Sequence, residues 1–175
     1  MTDPLMLLAS DLALLDWLQA AHRPSTPGGP IMSDSNNGKI VDIRLNVERR
    51  QPMSVVESAE VKAGEGLVGD RHSKAGSTRQ ILMMDRAILE TLEVEPGQLR
   101  ENITISGVSL FGLEEGQTLK VGDGLEFKIG ELCDPCDNMD HIKPGLREKI
   151  EGQRGLFVTP LFSGTVNVGD EVSVG

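Results

Sequence analysis

From Lys39 onward the chain runs in short apolar–polar alternations, each cut off by glycine, proline or asparagine before a helical period can establish itself. A period of two, repeated at close intervals, restricts the fold more than any other feature. It requires short half-buried strands joined by turns, gathered into a small barrel or sandwich. Strands are expected at Lys39–Val47, Ser54–Lys62, Gln80–Met84, Asn102–Ser106, Thr118–Val121, Leu125–Ile129, Leu156–Val158 and Glu171–Val174. Gly122-Asp-Gly124 marks a tight turn between two of them. One short helix is expected at Asp85–Leu92, with Asp85 as N-cap and Pro96-Gly97 closing it. The expected class is therefore mainly β with a few peripheral helices. No internal repeat or strand–helix alternation suggests another plan.

The N-terminal residues read differently. Leu5, Leu8, Leu12, Leu15 and Leu18 recur at helical spacing, and Thr2 or Asp3 can cap a helix that opens on Pro4. A helix is expected over residues 4–22, then a linker over 23–38, whose Pro-Ser-Thr-Pro-Gly-Gly-Pro run fixes φ and removes donors. The β-rich domain is expected over 39–175. Met32 is a plausible natural start, with residues 1–31 an upstream extension or a helix docked on the domain.

Charge and cysteine content narrow the function. There are 27 acidic against 17 basic residues, a formal net charge of −10, which opposes nucleic-acid binding. No stretch of about 20 residues is apolar enough to span a bilayer, and no basic start resembles a signal peptide. Two cysteines three positions apart cannot staple a secreted fold. A cytoplasmic location is expected, with neither membrane nor nucleic acid as partner.

Chemistry concentrates in four clusters: Gly66-Leu-Val-Gly-Asp70-Arg71-His72, Arg79-Gln80, Leu99-Arg100-Glu101-Asn102-Ile103, and Cys133-Asp-Pro-Cys136. The cysteine pair alone fits a redox couple, half of a zinc site with His72 or His141, or two structural thiols. Pro135 stiffens the approach to Cys136. Arg71, Arg79, Arg100 and Arg154, if they converge, form an anion pocket on an acidic protein. A thiol beside such cations is a better nucleophile and metal ligand.

Taken in order, these clusters, followed by Gly164-Thr-Val-Asn-Val-Gly-Asp170, resemble the MOSC domain family, named for the C-terminal domain of molybdenum cofactor sulfurases. The resemblance spans residues 39–175 and is strongest to small stand-alone bacterial members. It implies a barrel-like β fold that binds the molybdenum cofactor (molybdopterin) through its pterin-phosphate part. It implies further that Cys136, in the Pro-Cys motif, carries sulfur or ligates molybdenum. Asp70, Arg71 and His72 match one family element; Arg100, Glu101 and Asn102 match another. Cys133 corresponds to an extra thiol of some members. With Arg79 and Arg154, these are the expected site residues.

The sequence given holds no aminotransferase-like domain, so pyridoxal phosphate is not expected to be bound by this chain alone. The expected activity is sulfur transfer or molybdenum-dependent oxidoreduction. A cysteine desulfurase, an electron-donating reductase or a molybdoenzyme would be the partner. Alternatives are a reductase of N-hydroxylated substrates, a non-catalytic cofactor carrier, and a zinc or redox-switch module.

Overall fold

In the computed structural model the described residues are 37–175. The expected helix at 4–22, the linker as far as residue 36 and the Met32 start lie outside them. The described strands are β1 (Asn37–Leu45), β2 (Ser54–Val56), β3 (Ser58–Lys62), β4 (Gly66–Leu67), β5 (Ile81–Asp85), β6 (Ile103–Ser106), β7 (Thr118–Val121), β8 (Leu125–Leu132), β9 (Leu156–Pro160), β10 (Gly164–Asn167) and β11 (Glu171–Val174). Three short helices accompany them: α1 (Arg86–Leu92), α2 (Asn138–Ile142) and α3 (Leu146–Lys149). None of these is long and apolar enough to cross a membrane.

The large sheet runs β11-β7-β8-β9-β5-β6-β1, and β1 pairs again with β11, closing seven strands into a barrel with β2 attached outside the ring. Closure removes the open edges that a sheet of this size would otherwise expose. Every pairing in the ring is antiparallel except β5–β6. A parallel pair cannot be joined by a tight turn, and α1 lies in its crossover. A second sheet, β10-β3-β4, has three strands.

Alternation fills the barrel. Ile40, Ile43, Ile81, Met83, Ile103, Ile105, Leu119, Val121, Phe127, Ile129, Val158 and Val172 all belong to its buried cluster. Phe127 is the one aromatic within that cluster, so branched aliphatics supply nearly all of the packing. Met84 belongs instead to a second cluster with Leu89, Leu99, Met139, Leu146 and Ile150, which binds α1 to α2 and α3. That satellite core fixes the loops around the chemically interesting residues.

The Asp85 side chain accepts from the Ala87 amide and caps α1, as expected. The helix ends earlier than Pro96-Gly97, because Glu93 turns left-handed at φ 53° and its amide closes on Glu90 and Leu89. The expected strand Ser54–Lys62 is two strands: β2 pairs with β1, whereas β3 pairs with β10 and β4. A continuous β-prone run does not show where the chain changes sheets.

Candidate functional site

The cysteine loop leaves the barrel where β8 loses register. Between Ile129 and Leu132 the pairing with β9 slips, and Gly130 lies so close to Phe157 that a Cβ there would come within 3.1 Å of its carbonyl oxygen. The slip brings the Cys133 amide onto the Gly155 carbonyl at 3.0 Å. Gly155 has to be glycine: its φ is 87°, and a Cβ would stand 2.2 Å from the Met83 carbonyl oxygen. Two backbones therefore meet closely just where the loop begins.

Cys133 is 4% exposed, while Cys136, beyond Pro135, is exposed; both are free thiols. Burial pushes the Cys133 thiol up, with Arg154 and Arg79 pulling the other way and losing. Cys133 is thus the protonated inner thiol and Cys136 the accessible one. Alkylation by iodoacetamide at neutral pH, read by peptide mass, is expected to modify Cys136 at least about tenfold faster. Equal rates would contradict this assignment.

Arg154 anchors the loop. Its Nη1 donates to the Asp134 carbonyl at 2.5 Å and its Nη2 to the Leu99 carbonyl at 3.4 Å. Its Nε is buried without a partner among the described residues, and no carboxylate there is paired with it. Arg79 approaches from the strand side. Its Nε meets Glu131 at 2.7 Å and its guanidinium lies 5.4 Å from the Phe157 ring centroid. Sequence reasoning missed Glu131, Gly155 and Phe157. The single glycine after Arg154 was the one local hint.

The Asp70 element does a different job. Asp70 Oδ2 accepts from the Asn46 amide at 2.7 Å and from Asn102 Nδ2 at 2.8 Å. Its Oδ1 accepts from the His72 amide at 2.8 Å and lies 3.2 Å from His72 Nδ1. Burial works against the charged form, but the hydrogen bonds from His72, Asn46 and Asn102 prevail and hold the carboxyl below its ordinary range. Asn102 Nδ2 also donates to the Arg44 carbonyl, and its Oδ1 accepts from the Leu82 amide. Asp70 and Asn102 therefore tie β1, β5 and the 70–72 turn into one knot. Glu101 is 1% exposed and accepts from the Gly97 amide; burial pushes its carboxyl up. Arg71 and His72 face solvent.

The expected site residues thus form two groups. Cys133, Cys136, Arg79 and Arg154 surround the loop, whereas Asp70, Arg71, His72 and Asn102 surround the knot. The Leu99–Asn102 segment joins them, since Arg154 holds Leu99 while Asn102 holds Asp70. Two cavities lie nearby: an apolar one of about 60 Å³ reaching Leu132 and Gly155, and one of mixed lining, about 230 Å³, reaching Thr78, Lys128 and Glu131. Neither of these two is lined by a cysteine, and Cys136 is exposed at the surface. Among the described residues no three His, Cys, Asp or Glu side chains are grouped to hold a metal by themselves.

A family model described as MOSC domain matches residues 42–173. Among solved structures, YuaD from Bacillus subtilis is similar with a TM-score of 0.67 at 21% identity, over 79% of this chain and 95% of that one. YiiM from Geobacillus stearothermophilus gives 0.63 at 17%, over 79% and 75%. YiiM from Escherichia coli gives 0.59 at 14%, over 78% and 69%. At such identities the likeness is one of fold. No curated protein matches the sequence.

Proposed function

The chain belongs to the MOSC domain family, and from that membership we propose that it binds the molybdenum cofactor with Cys136 Sγ as the ligand to the metal. The observation carrying this reading is an exposed thiol, Cys136, two residues beyond the carbonyl of Asp134 on which Arg154 is anchored, with the guanidinium Nε of that arginine buried and unpartnered among the described residues.

The residues present fit such a group. A thiolate is the soft donor that molybdenum in a sulfur-rich setting favours. An unpaired buried N–H is costly until an acceptor reaches it, and an anionic ligand supplies acceptors. When bound, molybdenum contributes a centre that exchanges electrons and oxygen or sulfur with a substrate. The chain's own residues do the rest. Cys136 presents its sulfur from a proline-stiffened loop, and Arg154 and Arg79 offer guanidinium N–H groups to anionic oxygens. Cys133 is kept neutral by burial, and Cys136 is the thiol that a ligand can reach.

A second reading, sulfur transfer, is favoured by the inner thiol. The Cys136 thiolate would attack the outer sulfur of a donor persulfide R–S–SH. The S–S bond breaks, R–S⁻ leaves with the electron pair and takes up a proton, and Cys136 holds the persulfide. Cys133 could then attack the inner sulfur of that persulfide, closing a Cys133–Cys136 disulfide and releasing hydrogen sulfide.

Molybdenum and pterin content, with persulfide labelling of the same preparation, tests both. Molybdenum bound with a pterin is the expected result. Persulfide on Cys136 without molybdenum selects the second reading. Stoichiometric zinc, or neither metal nor persulfide, contradicts the proposal.

A further inference from the structure

The apolar cavity beside the cysteine loop lies on the seam between the two cores. Leu110 and Leu156, both buried, reach it from the barrel cluster. Ile88 of α1 reaches it from the satellite cluster. Leu132 and Gly155 form a wall shared with the cysteine loop, because Cys133, the next residue, donates its amide to the Gly155 carbonyl at 3.0 Å.

Two features separate this cavity from a packing void, which is closed and lined by buried apolar groups alone. The first is its rim. Phe111 and Leu132 belong to the lining, yet they are 77% and 40% exposed. Phe111 is the most exposed large apolar side chain among the described residues. The Phe111 amide donates to Ser109 Oγ at 3.1 Å, which pins the turn that carries the ring. An aromatic face left in water at the edge of an apolar hollow gains most from a second ring laid against it.

The second feature is Asp85, the one charged side chain in the lining. Its Oδ1 accepts from the Ala87 amide at 2.9 Å. Among the described residues no cation is paired with it. Arg86, its neighbour in the chain, is committed to Glu90 at 2.9 Å. Burial pushes the Asp85 carboxyl up; the Ala87 amide pulls the other way, and the charge of Glu90 adds to the rise. A partly desolvated carboxylate without a cation is stabilised by a ligand that brings one. The net charge of −10 draws cations rather than anions toward the surface.

We infer that this cavity seats a small aromatic amine, with its single ring against Leu110, Phe111 and Leu132 and its ammonium group on Asp85. With about 60 Å³ of room the cavity takes one small group, and its mostly apolar lining selects a hydrocarbon ring. As the seat of a substrate brought to the cysteine loop, the site rests on the working role given to Cys136. As a binding site it stands on the cavity and Asp85 alone.

Amide-shift NMR titration of the full chain with benzylamine, benzyl alcohol and benzoate tests it. Benzylamine is expected to bind saturably, shifting the amides of Phe111, Leu132 and Gly155. Benzyl alcohol, which has the same ring without the charge, should bind at least about fivefold more weakly, and benzoate more weakly still. Asp85→Asn keeps the helix cap, since asparagine caps as well as aspartate, and should bring benzylamine down to the level of benzyl alcohol. Phe111→Ser should weaken amine and alcohol alike by at least about threefold. Glu60→Gln, which removes a carboxylate from β3 instead, should bind as the unsubstituted chain does. Melting curves establish that each variant is folded. The inference is overturned if benzylamine shows no saturable binding, or if its shifts fall away from the cavity. It is equally overturned if the alcohol binds as tightly as the amine, or if folded Asp85→Asn binds the amine undiminished. The readout is independent of metal and persulfide load, where failure of the cysteine reading would show, so the two failures are separate results.

Discussion

Replacing Asp70 with alanine is expected to lower the unfolding free energy by about 3 kcal/mol and the Tm by roughly 10 °C. The Asp70 side chain is 0% exposed. Its removal strands the Asn46 and His72 amides and one donor of Asn102, in a place where water cannot replace the lost acceptor. Asparagine at this position should restore little, because its amide NH₂ would face donors. The pH dependence follows from the direction of the shift. A carboxyl held below its unfolded pKa of about 3.9 stabilises fully above that value and loses its contribution as pH falls through the folded one. The unsubstituted protein should therefore lose stability below about pH 4, and the alanine variant should show a flatter acid limb there. Urea denaturation of both proteins between pH 7 and pH 3 checks each part. Equal midpoints at neutral pH would contradict the role given to Asp70.

The same residue shows how far a sequence can be read. Gly-Asp-Arg-His and Arg-Glu-Asn could be recognised as elements of one family, and the structure does bring them together. What spacing could not convey is that Asp70 and Asn102 spend their polar atoms on each other and on the backbones of Asn46, Arg44 and Leu82. Local alternation was enough for β6 and β7, whose periods are clean, and the barrel class followed from it. It failed at Ser54–Lys62, where β2 and β3 join different sheets although their sequence is continuous. It also missed α2 and α3, since five and four residues on either side of Pro144-Gly145 are too few to display a helical period. Arg79 and Arg154 were legible as charges near the motifs. Glu131 was not, because its partner lies 52 residues away and is brought to it by the pairing of β8, β9 and β5.

Among the residues proposed for the site, Cys136 carries the largest functional expectation. Serine in its place keeps the shape of an exposed side chain and leaves the fold intact. Its hydroxyl gives no thiolate at neutral pH, so it neither ligates molybdenum as sulfur does nor holds a persulfide. Loss of loading on the order of tenfold or more is expected. Cys133→Ser should be milder, since the inner thiol is buried and protonated and its backbone bond to Gly155 is kept. The decisive measurement is the molybdenum, pterin and persulfide sulfur carried per chain by the unsubstituted protein, Cys136→Ser and Cys133→Ser, each purified from the same molybdate-supplied host. The account predicts that Cys136→Ser comes out nearly empty while Cys133→Ser retains most of its load. A folded Cys136→Ser carrying as much as the unsubstituted protein would contradict it.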